Sequence, residues 1–262
     1  MQSPIADLHC DDHQRFEHAL RSNGFDTEDL WINGYVSYQW RTLCPLLSAY
    51  RIHVADQRVL EFGSNIGAAA IVLSALGAQV VGVDVDPRLT RLASANARRH
   101  RLDSCPRFLC VADTRTLPFD SASFDFIMAS SVLEYVQTSQ LSAIMAELHR
   151  VLRPNGQVLI TATASRLAPQ ELHSGRWLVN YLPTRLLERL DIDLQQGLGP
   201  LRLAKALRGR FKVVQADRWA DARTAVHGQS RRSVRWFAGF AQMLGLAPGW
   251  ISPNIELLLR KA

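Results

Sequence analysis

The sequence predicts a doubly wound α/β fold: a mostly parallel seven-stranded sheet, helices on both faces, and a helical cap over the strand C-termini. Three observations carry this. Five short apolar runs between residues 58 and 163 alternate with helix-like stretches, a glycine-rich turn follows the first of them, and two further strand-like runs stand at 211–217 and 254–261. Strands separated by helices of about 10–15 residues mean right-handed βαβ crossovers, and the parallel sheet they form must be covered on both faces.

Each element has its own signal. "RVLEF" (58–62) is a buried-strand run, and "IGAAAIVLSALG" (66–77) is a small-residue helix stopped by Gly77. "AQVVGVD" (78–84) is the second strand. Asp86 followed by Pro87 is an N-cap with proline at the first helical position, opening the next helix. "RFLCVAD" (107–113) and "FDFIMAS" (124–130) are the third and fourth strands. "SQLSAIMAELHRVL" (139–152) carries the apolar stripe of an amphipathic helix, "RPNG" (153–156) is a turn, and "QVLITAT" (157–163) is the fifth strand. The alternation stops after residue 164. The expected organisation is an N-terminal helical lid segment over 1–50 and a ligand-binding core over 51–164. A C-terminal part over 165–262 completes the sheet and lays cap insertions over the strand ends, where open α/β sheets bind ligands.

Composition narrows the class. With 262 residues, 47% hydrophobic and 21% charged, the chain reads as an ordinary soluble globular protein. It has no apolar run of about 18 residues, so no transmembrane helix is expected. Its acidic start lacks the apolar stretch of a signal peptide. Cys10, Cys44, Cys105 and Cys110 show no metal-ligand spacing and read as free thiols in a reducing cytoplasm, with no metal expected. The net charge of +6 is uneven: residues 165–262 hold 16 Lys/Arg against 7 Asp/Glu, whereas residues 1–164 hold 14 against 17. Since 27 of the 30 basic residues are Arg, the excess fits either a GC-rich coding bias or an anionic partner. The arginines are not interleaved with a recognisable nucleic-acid module, so nucleic acid is not the expected partner.

The chemistry lies first in "VLEFGSNIGAAA" (59–70). A dinucleotide fingerprint needs G-x-G-x-x-G/A, and Asn65 stands where the central glycine would admit a pyrophosphate; no G-K-[ST] of a Walker loop follows. Glu61, Gly63, Asn65 and Gly67 instead resemble the first motif of the class I S-adenosylmethionine-dependent methyltransferases, an acidic residue followed by glycines at alternate positions. Asparagine is the non-glycine residue most at ease with positive φ, and a cofactor without phosphates tolerates the added side chain. The resemblance continues in order over about 110 residues, as a run of spaced motifs of the kind that carries a fold assignment. It implies a ribose-binding Asp84, an adenine-packing Val85, and Asp113 with Thr114 at the adenine amino group. Ser64 in the loop and Ser130 at the end of the fourth strand complete the implied cofactor site, for S-adenosylmethionine as substrate and S-adenosylhomocysteine as product. "LPFDSASFDFIMASSVLEYV" and "ELHRVLRPNGQVLI" resemble the family's fourth-strand and closing segments.

In the small-molecule branch of this family a histidine often follows "LE" in the fourth-strand segment, where this chain has Tyr135. "WINGYVSYQWRTL" (31–43) is a candidate lid: Tyr35 and Tyr38 to cover the cofactor, Arg41 to meet its carboxylate, or all three simply packing an N-terminal helix. Methyl transfer from a sulfonium needs alignment and exclusion of water more than it needs a base. The candidate catalytic residues are therefore only His173 in the cap and Glu134 and Tyr135 beyond the fourth strand. The cap mixes aromatics, leucines and arginines, which suits a small apolar or amphiphilic acceptor with an anionic group. "RRSVRWFAGFAQMLGL" (231–246) is a basic amphipathic helix, read as packing on its own domain, with a peripheral membrane contact as the alternative. The expected function is methylation of a small-molecule or biosynthetic-intermediate acceptor. The alternatives are an RNA base as acceptor, or a methyltransferase-like binding module without catalysis.

Overall fold

The computed structural model describes residues 4–25, 30–102, 105–171, 174–189 and 196–262. In chain order these form α1 (Asp11–Ser22), α2 (Leu30–Ala49), β1 (Arg58–Phe62), α3 (Ala68–Ala75), β2 (Gln79–Asp84), α4 (Pro87–Arg99), β3 (Arg107–Cys110), β4 (Phe124–Ser130), α5 (Leu141–Val151) and β5 (Leu152–Ala164). Then follow α6 (Thr184–Arg189), α7 (Pro200–Leu207), β6 (Phe211–Val214), α8 (Trp219–His227), α9 (Arg231–Met243) and β7 (Asn254–Lys261). The strands make one sheet in the order β3-β2-β1-β4-β5-β7-β6. Five are parallel, and β7 runs antiparallel to both neighbours, β5 and β6. This is the mostly parallel, doubly wound sheet that the alternation predicts.

Side-chain alternation along the central strands decides what each face buries. Leu60, Phe62, Ile127, Ala129, Val158 and Ile160 point to one face and pack on Leu141, Ile144, Met145 and Leu148 of α5 and Leu203 and Leu207 of α7. Val59, Phe126, Met128, Leu159 and Leu258 point to the other, against Leu43 and Leu47 of α2, Ala69–Leu73 of α3 and Ala222 of α8. Both faces are therefore dry, which is why these strands read as continuous apolar runs.

Two expected strands are shorter than their runs. β3 pairs only with β2, and since β2 ends at Asp84 the ladder closes with Val111 N–H donating to Asp84 O (2.8 Å); Asp113 falls in the following loop. β6 likewise pairs only with β7 and ends at Val214. The expected turn at 153–156 falls inside β5, which starts at Leu152 rather than at 157: the residues form a bulge where the register shifts, Phe124 pairing with Leu152 and Phe126 with Gln157, and Asn155 takes φ 63.

The N-terminal helices are tied to the core by buried polar groups. The Arg99 guanidinium lies 3.9 Å over the Phe16 ring, joining α1 to α4, and the Tyr50 hydroxyl donates to Glu256 Oε1 (2.9 Å), joining the end of α2 to β7. Asn96, fully buried in α4, donates to Ile66 O (2.8 Å) and accepts from Arg99 Nε (2.8 Å), so one side chain holds α1, α4 and the turn after β1 together. Among the described residues no helix is long and apolar enough to cross a membrane. Asn96→Ala removes both bonds and strands two buried partners. It is expected to lower the free energy of unfolding by about 1–3 kcal/mol, read from urea denaturation; a loss within error would show that water replaces the side chain.

Candidate active site

The turn after β1 owes its shape to three residues with left-handed backbone: Gly63 (φ 80), Asn65 (φ 48) and Gly67 (φ 76). Gly63 admits no substitute, because a Cβ there would stand 2.3 Å from Val132 Cγ2. Asn65 occupies the region asparagine tolerates better than other side chains. Two carboxylates hold the turn. Glu61, buried, accepts the Ala70 N–H (3.1 Å), one of the orphan donors at the start of α3. Asp84 Oδ2 accepts the Asn65 N–H (2.8 Å), and its Oδ1 accepts the Asp86 N–H (3.1 Å). Burial drives the Glu61 pKa well above the usual carboxylate range; the Ala70 N–H opposes the rise and the nearby Asp84 charge adds to it.

Between the C-terminal ends of β1 and β4, where the strand order reverses, a cavity of about 610 Å³ opens. This is the topological switch point at which open α/β sheets take ligands. One end is lined by Glu61, Gly63, Ser64 and Asn65 of the first turn, Asp84 and Val85 after β2, and Thr114 after β3. Ser130 at the end of β4 and Tyr35 and Gln39 of α2 complete its middle, and Tyr135, Val136, Gln137, Gln140 and Ile144 line the far end. The Tyr35 pKa is raised chiefly by burial, with the neighbouring Gln39 amide opposing the rise. The Tyr135 phenol is displaced upward too, first by burial and then by the Glu134 and Glu171 charges. Both phenols therefore stay protonated near neutral pH and act as hydrogen-bond donors rather than bases.

Five of the candidate residues do not line the cavity. Gly67 turns beneath the loop, facing Phe108 and Ala93. Asp113 is exposed to solvent and turned to Arg115, whose Nε and Nη2 both lie at 2.8 Å and hold its pKa at about 2. Tyr38 stacks on Tyr35 with ring centroids 6.1 Å apart, and Arg41 is exposed on α2. Glu134 is buried, and its Oε1 accepts from Ser131 Oγ (3.1 Å) and the Ala164 N–H (3.4 Å), tying the end of β4 to β5. His173 lies outside the described residues. Conversely, Gln39, Gln137 and Gln140 line the cavity without having been singled out. Gln39 is four residues after Tyr35, so helical spacing alone puts both on one face; Gln137 and Gln140 sit in the approach to α5 and carry no such signal. Among the described residues no cluster of His, Cys, Asp and Glu is arranged to hold a metal ion.

With this geometry in view, residues 60–160 match the family model described as a methyltransferase domain. The chain is 29% identical over 143 residues to a demethylmenaquinone methyltransferase of Tropheryma whipplei, covering 53% of this chain and 54% of that protein. It is 35% identical over 114 residues to a malonyl-[acyl-carrier protein] O-methyltransferase of Laribacter hongkongensis, covering 41% and 38%. These matches span about half the length of the curated relatives or less. In fold it is similar to phosphoethanolamine N-methyltransferase 1 of Haemonchus contortus, solved with phosphoethanolamine and S-adenosylhomocysteine. That likeness has a TM-score of 0.55 at 16% identity and covers 97% of this chain and 50% of the other.

The buried Glu61 makes a pH prediction. Its folded pKa lies above its unfolded value, so its contribution to stability is complete below the usual carboxylate range and is lost as pH rises through the raised value. Glu61→Gln keeps an acceptor oxygen for the Ala70 N–H and never ionises. The unfolding free energy of the ligand-free variant, relative to the parent, should therefore rise with pH above the usual carboxylate range. Parallel pH profiles for the two proteins would rule out the raised pKa.

Proposed function

We propose that residues 60–160, which match a methyltransferase domain, bind S-adenosylmethionine as cofactor and that the chain methylates a small apolar or amphiphilic acceptor. The observation that carries this is the unequal chemistry of the two cavity ends. One end presents a glycine-rich turn and the Asp84 carboxylate beside Val85, an exposed apolar side chain. That set fits a nucleoside: a carboxylate for vicinal hydroxyls and an apolar surface for a base. The far end, from Tyr135 to Ile144, offers apolar side chains, amides and a protonated phenol.

When bound, the cofactor supplies a methyl on positively charged sulfur, already activated for displacement. The chain then has to position and to exclude water. In this reading Asp84 accepts from the ribose hydroxyls, Val85 packs on the adenine, and Thr114 faces the adenine end; Asp113 reaches that end only by leaving Arg115. Tyr35 and Gln39 cover the middle from α2, which supports a lid role for that helix, and Tyr38 stacks behind Tyr35. The residues of 165–262 complete the sheet through β7 and β6, but among the described residues none of them lines the cavity, so the expected cap over the acceptor end is not formed by them. Because the described cavity wall holds two high-pKa phenols and no histidine or lysine, the acceptor best suited to it brings its own nucleophile, an acidic hydroxyl or an activated carbon. Tyr135 then orients that group as a donor. Four thiols without disulfides support a cytoplasmic setting.

Two experiments test these roles. Asp84→Ala should weaken binding of S-adenosylhomocysteine in calorimetric titration by roughly ten- to a hundredfold, the worth of hydrogen bonds to a charged group; unchanged affinity would reject the ribose assignment. Asn65→Gly should bind within about threefold of the parent, because glycine adopts the same left-handed backbone, whereas Asn65→Val should not. With an acceptor in hand, Tyr135→Phe should lower turnover modestly and leave the pH–rate profile in place. Loss of the limb on which the rate rises with pH would make Tyr135 a base.

A further inference from the structure

Helix α9 carries two apolar faces, and the fold uses only one. Val234, Ala238 and Ala241 are buried, and Phe237 meets Trp219 of α8 with ring centroids 5.5 Å apart. At about 100° per residue, Trp236, Phe240, Met243 and Leu244 fall together on the neighbouring face. There they stand in solvent, Trp236 74% and Met243 86% exposed, and Leu246 beyond the helix end extends the patch. The Trp236 and Phe240 rings stack on each other (6.0 Å, 6° between planes), making a flat apolar plate. The third face is basic, with Arg231, Arg232 and Arg235. Arg231 reaches Asp221 (3.7 Å); among the described residues Arg232 and Arg235 pair with no carboxylate.

We propose that this face of α9 docks the protein on an anionic lipid bilayer, lying in the headgroup layer. The charge and the apolar plate point to the same partner. Phosphate headgroups match the unpaired guanidiniums, and the boundary with the acyl chains accepts Trp, Phe, Met and Leu at the depth where a helix parallel to the surface rests. The basic excess of residues 165–262 lies in the same part of the chain. A second copy fits less well, since a two-fold contact through this plate brings the Arg232 and Arg235 of both copies towards one another. A nucleic acid would use the arginines and leave Met243, Leu244 and Leu246 in water. The surface stands whether or not the acceptor reading above is right, because α9 contributes no residue to the cavity.

The test is co-flotation of the full chain with vesicles of phosphatidylglycerol in phosphatidylcholine and with vesicles of phosphatidylcholine alone. Binding to the anionic vesicles should be at least tenfold tighter and should weaken with salt, as headgroup attraction requires. Arg232→Ala with Arg235→Ala should cost roughly fivefold per arginine, and Trp236→Ser with Phe240→Ser at least as much, both with the parent's circular dichroism and unfolding temperature. Equal binding by parent and variants, or no binding of the parent to either vesicle, overturns the proposal. So does a dimer in sedimentation velocity that the Trp236/Phe240 variant converts to monomer, because the plate is then a contact between copies.

Discussion

The hydrogen bond from the Asn65 amide to Asp84 is the contact on which the shape of the cavity depends. Gly63 and Ser64 both donate to Val83 O at 2.9 Å, so the first half of the turn rests on the end of β2. Asn65 would otherwise present its N–H at a crest with left-handed backbone, and Asp84 takes it. Glu61 does the same from below for α3. The bond to the Asp84 carboxylate is worth about 1.5–3 kcal/mol and the one to the neutral Glu61 carboxyl about 0.5–1.5 kcal/mol, and together they fix a loop whose three left-handed residues would otherwise sample many conformations. The two carboxylates differ in what they have left to offer. Glu61 is spent on the fold and resists ionisation, whereas Asp84 stands on the cavity wall and can share its oxygens with a ligand.

What the sequence made legible follows the same division. The central strands β1, β4 and β5 could be read because both sheet faces are dry there, and a strand dry on both faces must be apolar along its length; the edge strand β3 is only partly buried and was read from its place in the alternation. Asn65 could be read because its backbone requirement admits few side chains. Asp113 could not, since nothing in a run of residues tells whether a carboxylate faces a cavity or closes on an arginine two positions later. Glu134 misleads in the opposite way: a polar residue beside Tyr135 looks available, yet it is buried and occupied with Ser131 and Ala164. The segment after residue 164 was opaque for a further reason. Its order comes from side chains bonding to backbone, such as Asn180 to Ala168 O, Arg166 to Asn180 O and Leu182 O, and Gln196 to Val179 O. Such bonds leave no periodicity behind them.

The amphipathic helix near the C-terminus shows how a correct reading can be incomplete. Its apolar set does pack on its own domain, through Val234, Ala238 and Ala241. The apolar arc is wider than the contact, however, because α8 covers only one side of it. A hydrophobic stripe in a sequence reports how much surface avoids water, and only the packing shows how much of it the fold conceals.

The end of the cavity proposed to take the acceptor is assembled differently from the end at Glu61 and Asp84, and this limits what similarity can carry over. Glu61, the turn and Asp84 come from one continuous β-α-β stretch, so their relation is preserved wherever that unit folds. Tyr35 and Gln39 come from a helix outside the matched residues 60–160, and Tyr135, Gln137 and Gln140 come from a short 3-10 turn and the approach to α5. Small shifts of these independent pieces change the shape of the acceptor end while the sheet stays as it is. Relatives can therefore share the core while their names state different acceptors, as the demethylmenaquinone and malonyl-[acyl-carrier protein] enzymes do. On the reading proposed above, the cofactor follows from the unit, and the acceptor from how α2 and the turn at Leu133–Tyr135 are placed beside it.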